Sequence, residues 1–303
     1  MPRAFFINLL CIFFIYTSIE STETNNDLPS LKTRLQFLPN VPFHLESHAF
    51  IEVTQSLPGL SLSTKGDQLL KAHLFIDRPS SDLLISSAPF DLTFILKELK
   101  ILILANDEKI TFDSNKKEPS LYLNQLSKII DRSLHLHLGE KHTIEMRGNE
   151  FLQLIKEFSV LQEVHPQALL ANMLSPLFAL SGEELSPGKV IVREYDEPNI
   201  MALPNKMEYT IRSIDDYNIY ASMKGDIKKT TFSLSSKVLV KDVKEPVQVV
   251  LNGNMEGLGK WNRDNAMLSE IEMRYVYTAT FTIGKLSWMM NFTIALQNKT
   301  TLI

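Results

Sequence analysis

Leu99-Lys-Ile-Leu-Ile-Leu-Ala105, the polar Asn106-Asp107-Glu108, then Lys109-Ile-Thr-Phe-Asp113 is the stretch that decides the fold. Two runs rich in aliphatic and β-branched residues flank a short Asn/Asp turn, the pattern of an antiparallel hairpin. Toward the N-terminus the same texture recurs. Phe90-Asp-Leu-Thr-Phe-Ile-Leu96 follows Pro89 and reads as a strand. Leu45, Ala49, Ile51 and Val53 alternate with Glu46, His48, Glu52 and Thr54. Pro58-Gly59 marks a turn, and Lys65-Gly66-Asp67 another before Leu70 to Ile76. Residues 44–118 are expected to form antiparallel strands.

Toward the C-terminus the pattern changes at Pro119-Ser120, which can cap a helix carrying Leu123, Leu126, Ile129 and Ile130 at helical spacing. Ser133-Leu-His-Leu-His-Leu138 alternates strictly and pairs, past Gly139-Glu140-Lys141, with His142 to Met146. Asn149 is a good N-cap for a helix from Glu150 to Leu161, and Pro166 opens another from Gln167 to Leu180. Strands then return: Val190 to Arg193, Met207 to Ser213, Asn218 to Lys224, Thr230 to Ser235 and Val247 to Leu251. A long hairpin closes the chain, Ile271 to Ile283 and Leu286 to Gln297 around Gly284-Lys285. The expected fold class is a β-rich α+β domain over residues 44–303. Two antiparallel sheet regions, or one large curved sheet, flank a middle of helices plus a hairpin over 119–189.

The first residues, MPRAFFINLLCIFFIYTSIEST, place Arg3 before an apolar run from Ala4 to Tyr16 and end in a polar stretch. That is the layout of a signal peptide over residues 1–21. Neither Ser18 nor Ser21 has a small residue two positions before it, so cleavage and retention as an anchor both stay open. Residues 22–43 are polar, carry Pro29, Pro39 and Pro42, and read as an exposed lead-in. Cys11 is the sole cysteine, so signal removal leaves a chain without disulfides or cysteine-held metals. Thirty-one Lys and Arg stand against 35 Asp and Glu, well mixed, which argues against a nucleic-acid partner. No run after the signal is long and apolar enough for a membrane-spanning helix. The expected location is outside the cytoplasm: periplasm, cell envelope or secreted.

Chemistry is hard to find. His135 and His137 share one strand face, with Glu140 and His142 across the turn, a set that could meet a metal. The competing reading makes them the solvent face of a hairpin whose buried face is Leu134, Leu136 and Leu138. There is no Gly-x-Ser-x-Gly elbow, and Asp82, Asp91, Asp113, Glu150, Glu183, Glu184 and Asp196 are scattered. Gly253, Gly257 and Gly259 precede Trp261 and a hairpin instead of opening a helix, so they suit a turn or bulge and not a nucleotide. Asn291-Phe-Thr293 and Asn298-Lys-Thr300 are glycosylation acceptors in a eukaryotic host. No catalytic residue, cofactor or resident metal is assigned. Leu169, Leu170, Met173, Leu174, Leu177, Phe178 and Leu180 are too many for a narrow helical stripe. They pack over a sheet or enclose a greasy ligand, whose lining would be Leu170, Met173, Leu174 and Phe178.

Four local patterns carry a family resemblance: Ile110-Thr-Phe-Asp-Ser114, His142-Thr-Ile-Glu-Met-Arg-Gly148 with Asn149-Glu-Phe-Leu152, Leu180 to Val190, and Met207 to Met223. Over residues 99–283 the order of elements resembles the bacterial exported family called domain of unknown function 6263. The resemblance implies export and a strand, helix, strand organisation, and it implies no reaction. The function expected is a non-enzymatic binding or interaction module of a bacterial envelope, with an unknown protein partner. The alternative is a periplasmic carrier of a lipid or other apolar ligand.

Overall fold

In the computed structural model the described residues are 33, 41–57, 60–77, 89–105, 108–116, 127–139, 144–147, 174, 176–194, 206–234 and 247–302. Alternating apolar and polar side chains build twelve strands: β1 Phe43–Leu57, β2 Leu60–Asp77, β3 Phe90–Ala105, β4 Glu108–Asp113, β5 Ser133–Leu138, β6 Ile144–Arg147, β7 Val190–Glu194, β8 Lys206–Ile214, β9 Asn218–Leu234, β10 Val247–Asn262, β11 Leu268–Ile283 and β12 Leu286–Leu302. All belong to one antiparallel sheet, ordered β6-β5-β3-β2-β1-β12-β11-β10-β9-β8-β7, with β4 pairing β3 off this path. The first long strand therefore lies beside the last, with Ser47 opposite Asn298 and Ile51 opposite Ile294.

This corrects the expected α+β class. Of the described residues 78% are strand and 4% helical, and no helical middle section occurs among them. Between 119 and 189 the described structure is a 3-10 turn at Ser127–Ile129, the β5–β6 hairpin and a helical turn ending at Phe178. The expected helix over 150–161, and the part of the next before Leu174, lie outside the described residues. So does the signal region. The physical reason for the correction is curvature. A sheet that curls far enough buries its apolar face against itself.

The curl can be measured from one short segment. Phe178 meets Phe90 of β3 edge to face, ring centroids 5.3 Å apart. The next carbonyl, of Ala179, accepts a hydrogen bond from Arg193 Nε of β7 at 2.8 Å. β3 and β7 are eight steps apart along the sheet, which would separate them by about 38 Å if it were flat. Consecutive residues cannot bridge that gap, so the sheet bends round until its two arms face the same segment. Register shifts at Lys71/Ala72, Ile211/Ser213, Leu251/Gly253 and Lys260/Trp261 help it do so, because bulges sharpen local bend and twist.

Candidate functional site

The inner face is apolar by register. Phe43, Leu45, Ala49, Ile51 and Val53 of β1 share a face with Leu70, Ala72 and Leu74 of β2 and with Phe292, Ile294 and Leu296 of β12. Across β11 and β12 the inward aromatic pairs stack: Tyr277 on Phe292 at 4.5 Å, Phe281 on Trp288 at 5.3 Å. Burial pushes the Tyr277 phenol far above its ordinary value, so it stays neutral. Trp261, with no exposed surface, meets Tyr209 edge to face at 6.4 Å. Its ring occupies the space that a Cβ on Gly259 would fill. The glycine cluster thus lies inside β10, with Gly253 at a register shift and Gly259 making room for an indole.

Five positions break the apolar wall. Thr300, Asn298, Ser47, Gln68 and Thr64 are all buried. Thr300 and Asn298 follow each other along one face of β12, and Asn298 sits opposite Ser47. Gln68 is opposite Ala49, diagonal to Ser47, and Thr64 is opposite Val53 farther along β2. They form an oblique band across the seam where the first and last strands meet. Asn298 Oδ1 and Nδ2, Gln68 Oε1, Thr64 Oγ1 and Thr300 Oγ1 have no hydrogen-bond partner among the described residues. A buried polar group left unsatisfied costs about 1–3 kcal/mol. None of the buried residues among those described is charged.

The segment after the helical turn holds the arms together. Arg193, on the inner face of β7, also donates from its terminal nitrogens to Ser181 O at 3.3 Å and Glu183 Oε1 at 3.1 Å. Lys189 Nζ adds a 3.0 Å bond to Glu183 Oε2. Burial would raise the Glu183 pKa, but these two cations hold it below its ordinary value. Thr33 of the lead-in exchanges two backbone hydrogen bonds with Leu185, at 3.0 and 2.7 Å. At this residue the lead-in is bound to the sheet's closing segment, where an exposed stretch was expected.

The expected lining residues divide. Leu174 and Phe178 are fully buried in the core, and Leu170 and Met173 lie outside the described residues. His135 Nδ1 is 3.2 Å from Thr93 Oγ1. His137 Nδ1 is 2.7 Å from Asp91 Oδ1, and Arg147 reaches the same carboxylate at 3.0 Å. His142 and Glu140 lie outside the described residues. No group of three potential metal ligands occurs among the described residues. The two sequons separate cleanly: Asn291 is exposed and accepts from Thr278 at 2.9 Å, whereas Asn298 is buried.

Sequence reasoning missed the polar band and Arg193. A signal for the band was present. Phe292, Ile294 and Leu296 fix a buried parity on β12, and that parity continues into Asn298 and Thr300.

No family model matches the chain, and no curated protein matches it. A structure described as lipid–protein interactions in lipovitellin is similar over 88% of this chain and 25% of that chain, at 10% identity and a TM-score of 0.46. An outer membrane channel from Pseudomonas putida F1 is matched over 92% of this chain and 100% of that one, at 4% identity and a TM-score of 0.19. The chain thus spans about a quarter of the lipovitellin chain's length. These scores are low enough that the functional reading rests on this chain's own geometry.

Proposed function

We propose that this chain is a non-enzymatic binding protein, acting outside the cytoplasm, that carries an apolar or amphipathic ligand within its curled sheet. The observation that carries the reading is the inner wall: buried apolar side chains lie on every strand of the path from β5 to β7, and no buried residue among those described is charged. About eight strands already close a barrel that side chains can fill, and longer paths enclose more room than their own walls occupy. The wall is shielded from water, so uptake requires the arms to part. They are joined by the Arg193 contacts and the Phe178–Phe90 pair, not by strand pairing of β6 with β7 among the described residues. The outward face supports a water-facing exterior. Lys71 lies 3.5 Å from both Glu46 and Glu98, and Lys65 lies 3.4 Å from Glu52. A membrane-spanning barrel carries an apolar band there instead.

Native mass spectrometry after incubation with a mixed-lipid emulsion tests this. The expected spectrum shows a lipid adduct that denaturation releases, and a bare polypeptide mass would overturn the carrier reading. A second reading, protein–protein docking, draws on one feature. The β11–β12 tip leaves Leu286 72% and Met289 45% exposed.

A further inference from the structure

We propose that the band of Thr300, Asn298, Ser47, Gln68 and Thr64 seats the neutral polar group of an amphipathic lipid, an ester- or hydroxyl-bearing acylglycerol. The inference rests on the carrier reading and adds the ligand's chemical class. A wall meant only for hydrocarbon has no use for buried amides and hydroxyls, because each one lacking a partner opposes folding. Here four of the five carry atoms unpaired among the described residues, and they lie together on three adjacent strands. Trp261 Nε1, orphaned too, lies apart on β10, whereas these four are gathered at one seam, as a ligand subsite would gather them.

The band's chemistry selects the partner. Amide nitrogens and hydroxyls donate, amide and hydroxyl oxygens accept, and no member is ionised. Ester carbonyls and free hydroxyls match that mixture. A phosphate or carboxylate would be stripped of water beside neutral groups, and no buried residue among those described is charged to compensate it. Arg193 does not serve, because its guanidinium is engaged by Ala179, Ser181 and Glu183. The acyl chains would then run along the apolar wall on either side of the band.

The test titrates the full, delipidated chain with three probes, read by tryptophan fluorescence: 1,2-dioleoylglycerol, squalene, and dioleoylphosphatidic acid. The wild type is expected to bind dioleoylglycerol at least ten-fold more tightly than either of the others. N298L, and separately the shape-conserving double variant T64V/T300V, are expected to lose about ten-fold for dioleoylglycerol. Both should keep squalene within two-fold. The double variant guards against misfolding, because removing two orphaned hydroxyls should raise the Tm of the unloaded protein. Equal binding of squalene and dioleoylglycerol, preference for the phosphatidic acid, or unchanged dioleoylglycerol affinity in T64V/T300V would overturn the proposal and leave the carrier reading standing. Failure of the wild type to bind any of the three would remove both.

Discussion

At Gly259 a missing side chain does structural work. Trp261 folds back over it, so Gly259→Ala must push aside either an indole or a strand. We expect a loss of about 2 kcal/mol, seen as a lower urea midpoint. An unchanged midpoint would mean that the ring moves freely. His73, on the outer face, makes a different kind of prediction. Its imidazole is held below the ordinary 6.5 by burial first, then by Lys97 and His44, with Asp131 opposing. Its ring meets His44 edge to face at 5.8 Å. Between the two pKa values the unfolded chain binds the proton and the folded chain does not, so stability rises with pH there. Stability should therefore fall as pH drops below 6.5, and His73→Gln should fall less. Parallel acid profiles for the two proteins would refute this.

Among elements, the closing segment from Leu174 to Leu185 matters most. Arg193→Met keeps the aliphatic stem and removes three hydrogen bonds. It should cost about 3 kcal/mol and speed amide hydrogen exchange over 176–185 before it affects β11 or β12. Uniform exchange across the sheet would contradict a local role. Glu183 gives the same contact an acid limit. With its pKa depressed below 4.5, its contribution is complete above that value and is lost as pH falls through the folded pKa. Glu183→Gln should flatten that loss. The elements also show how far the sequence could be read. The hairpin around Gly284-Lys285 was legible because apolar alternation ran up to its turn, and the β3–β4 turn because an aliphatic run stopped at Asn106-Asp107. Lys65-Gly66-Asp67 was not, since a glycine between charges imitates a turn. In the structure β2 runs straight through it, with Gly66 opposite Ile51 and Ile103. Phe90–Leu96 and Leu99–Ala105 are likewise one strand, because a bulge at Lys97-Glu98 shifts the parity without ending β3. The polar band stayed hidden for the opposite reason: Asn298-Lys-Thr300 matches a surface motif, and only register turns it inward.

For the whole molecule, one core cluster runs from Phe43 to Leu296 and touches every long strand. Unfolding should therefore be a single transition, with far-UV circular dichroism and tryptophan fluorescence coinciding. Trp261 in β10 and Trp288 in β12 report from neighbouring parts of the sheet. Separated transitions would show that one arm melts alone. Contacts of such wide sequence separation also imply folding in milliseconds to seconds. The pairing of β1 with β12 has a further consequence, which concerns time. A ribosome or export channel delivers β1 well before its seam partner β12, so β1 waits with one edge unmatched while the ten strands between them emerge. An unpaired edge recruits strangers. The chain should accordingly be most prone to aggregate while still being made, and most dependent on whatever shields nascent strands in its compartment. A slow release of the seventeen residues of β12 would be felt more than a slow start.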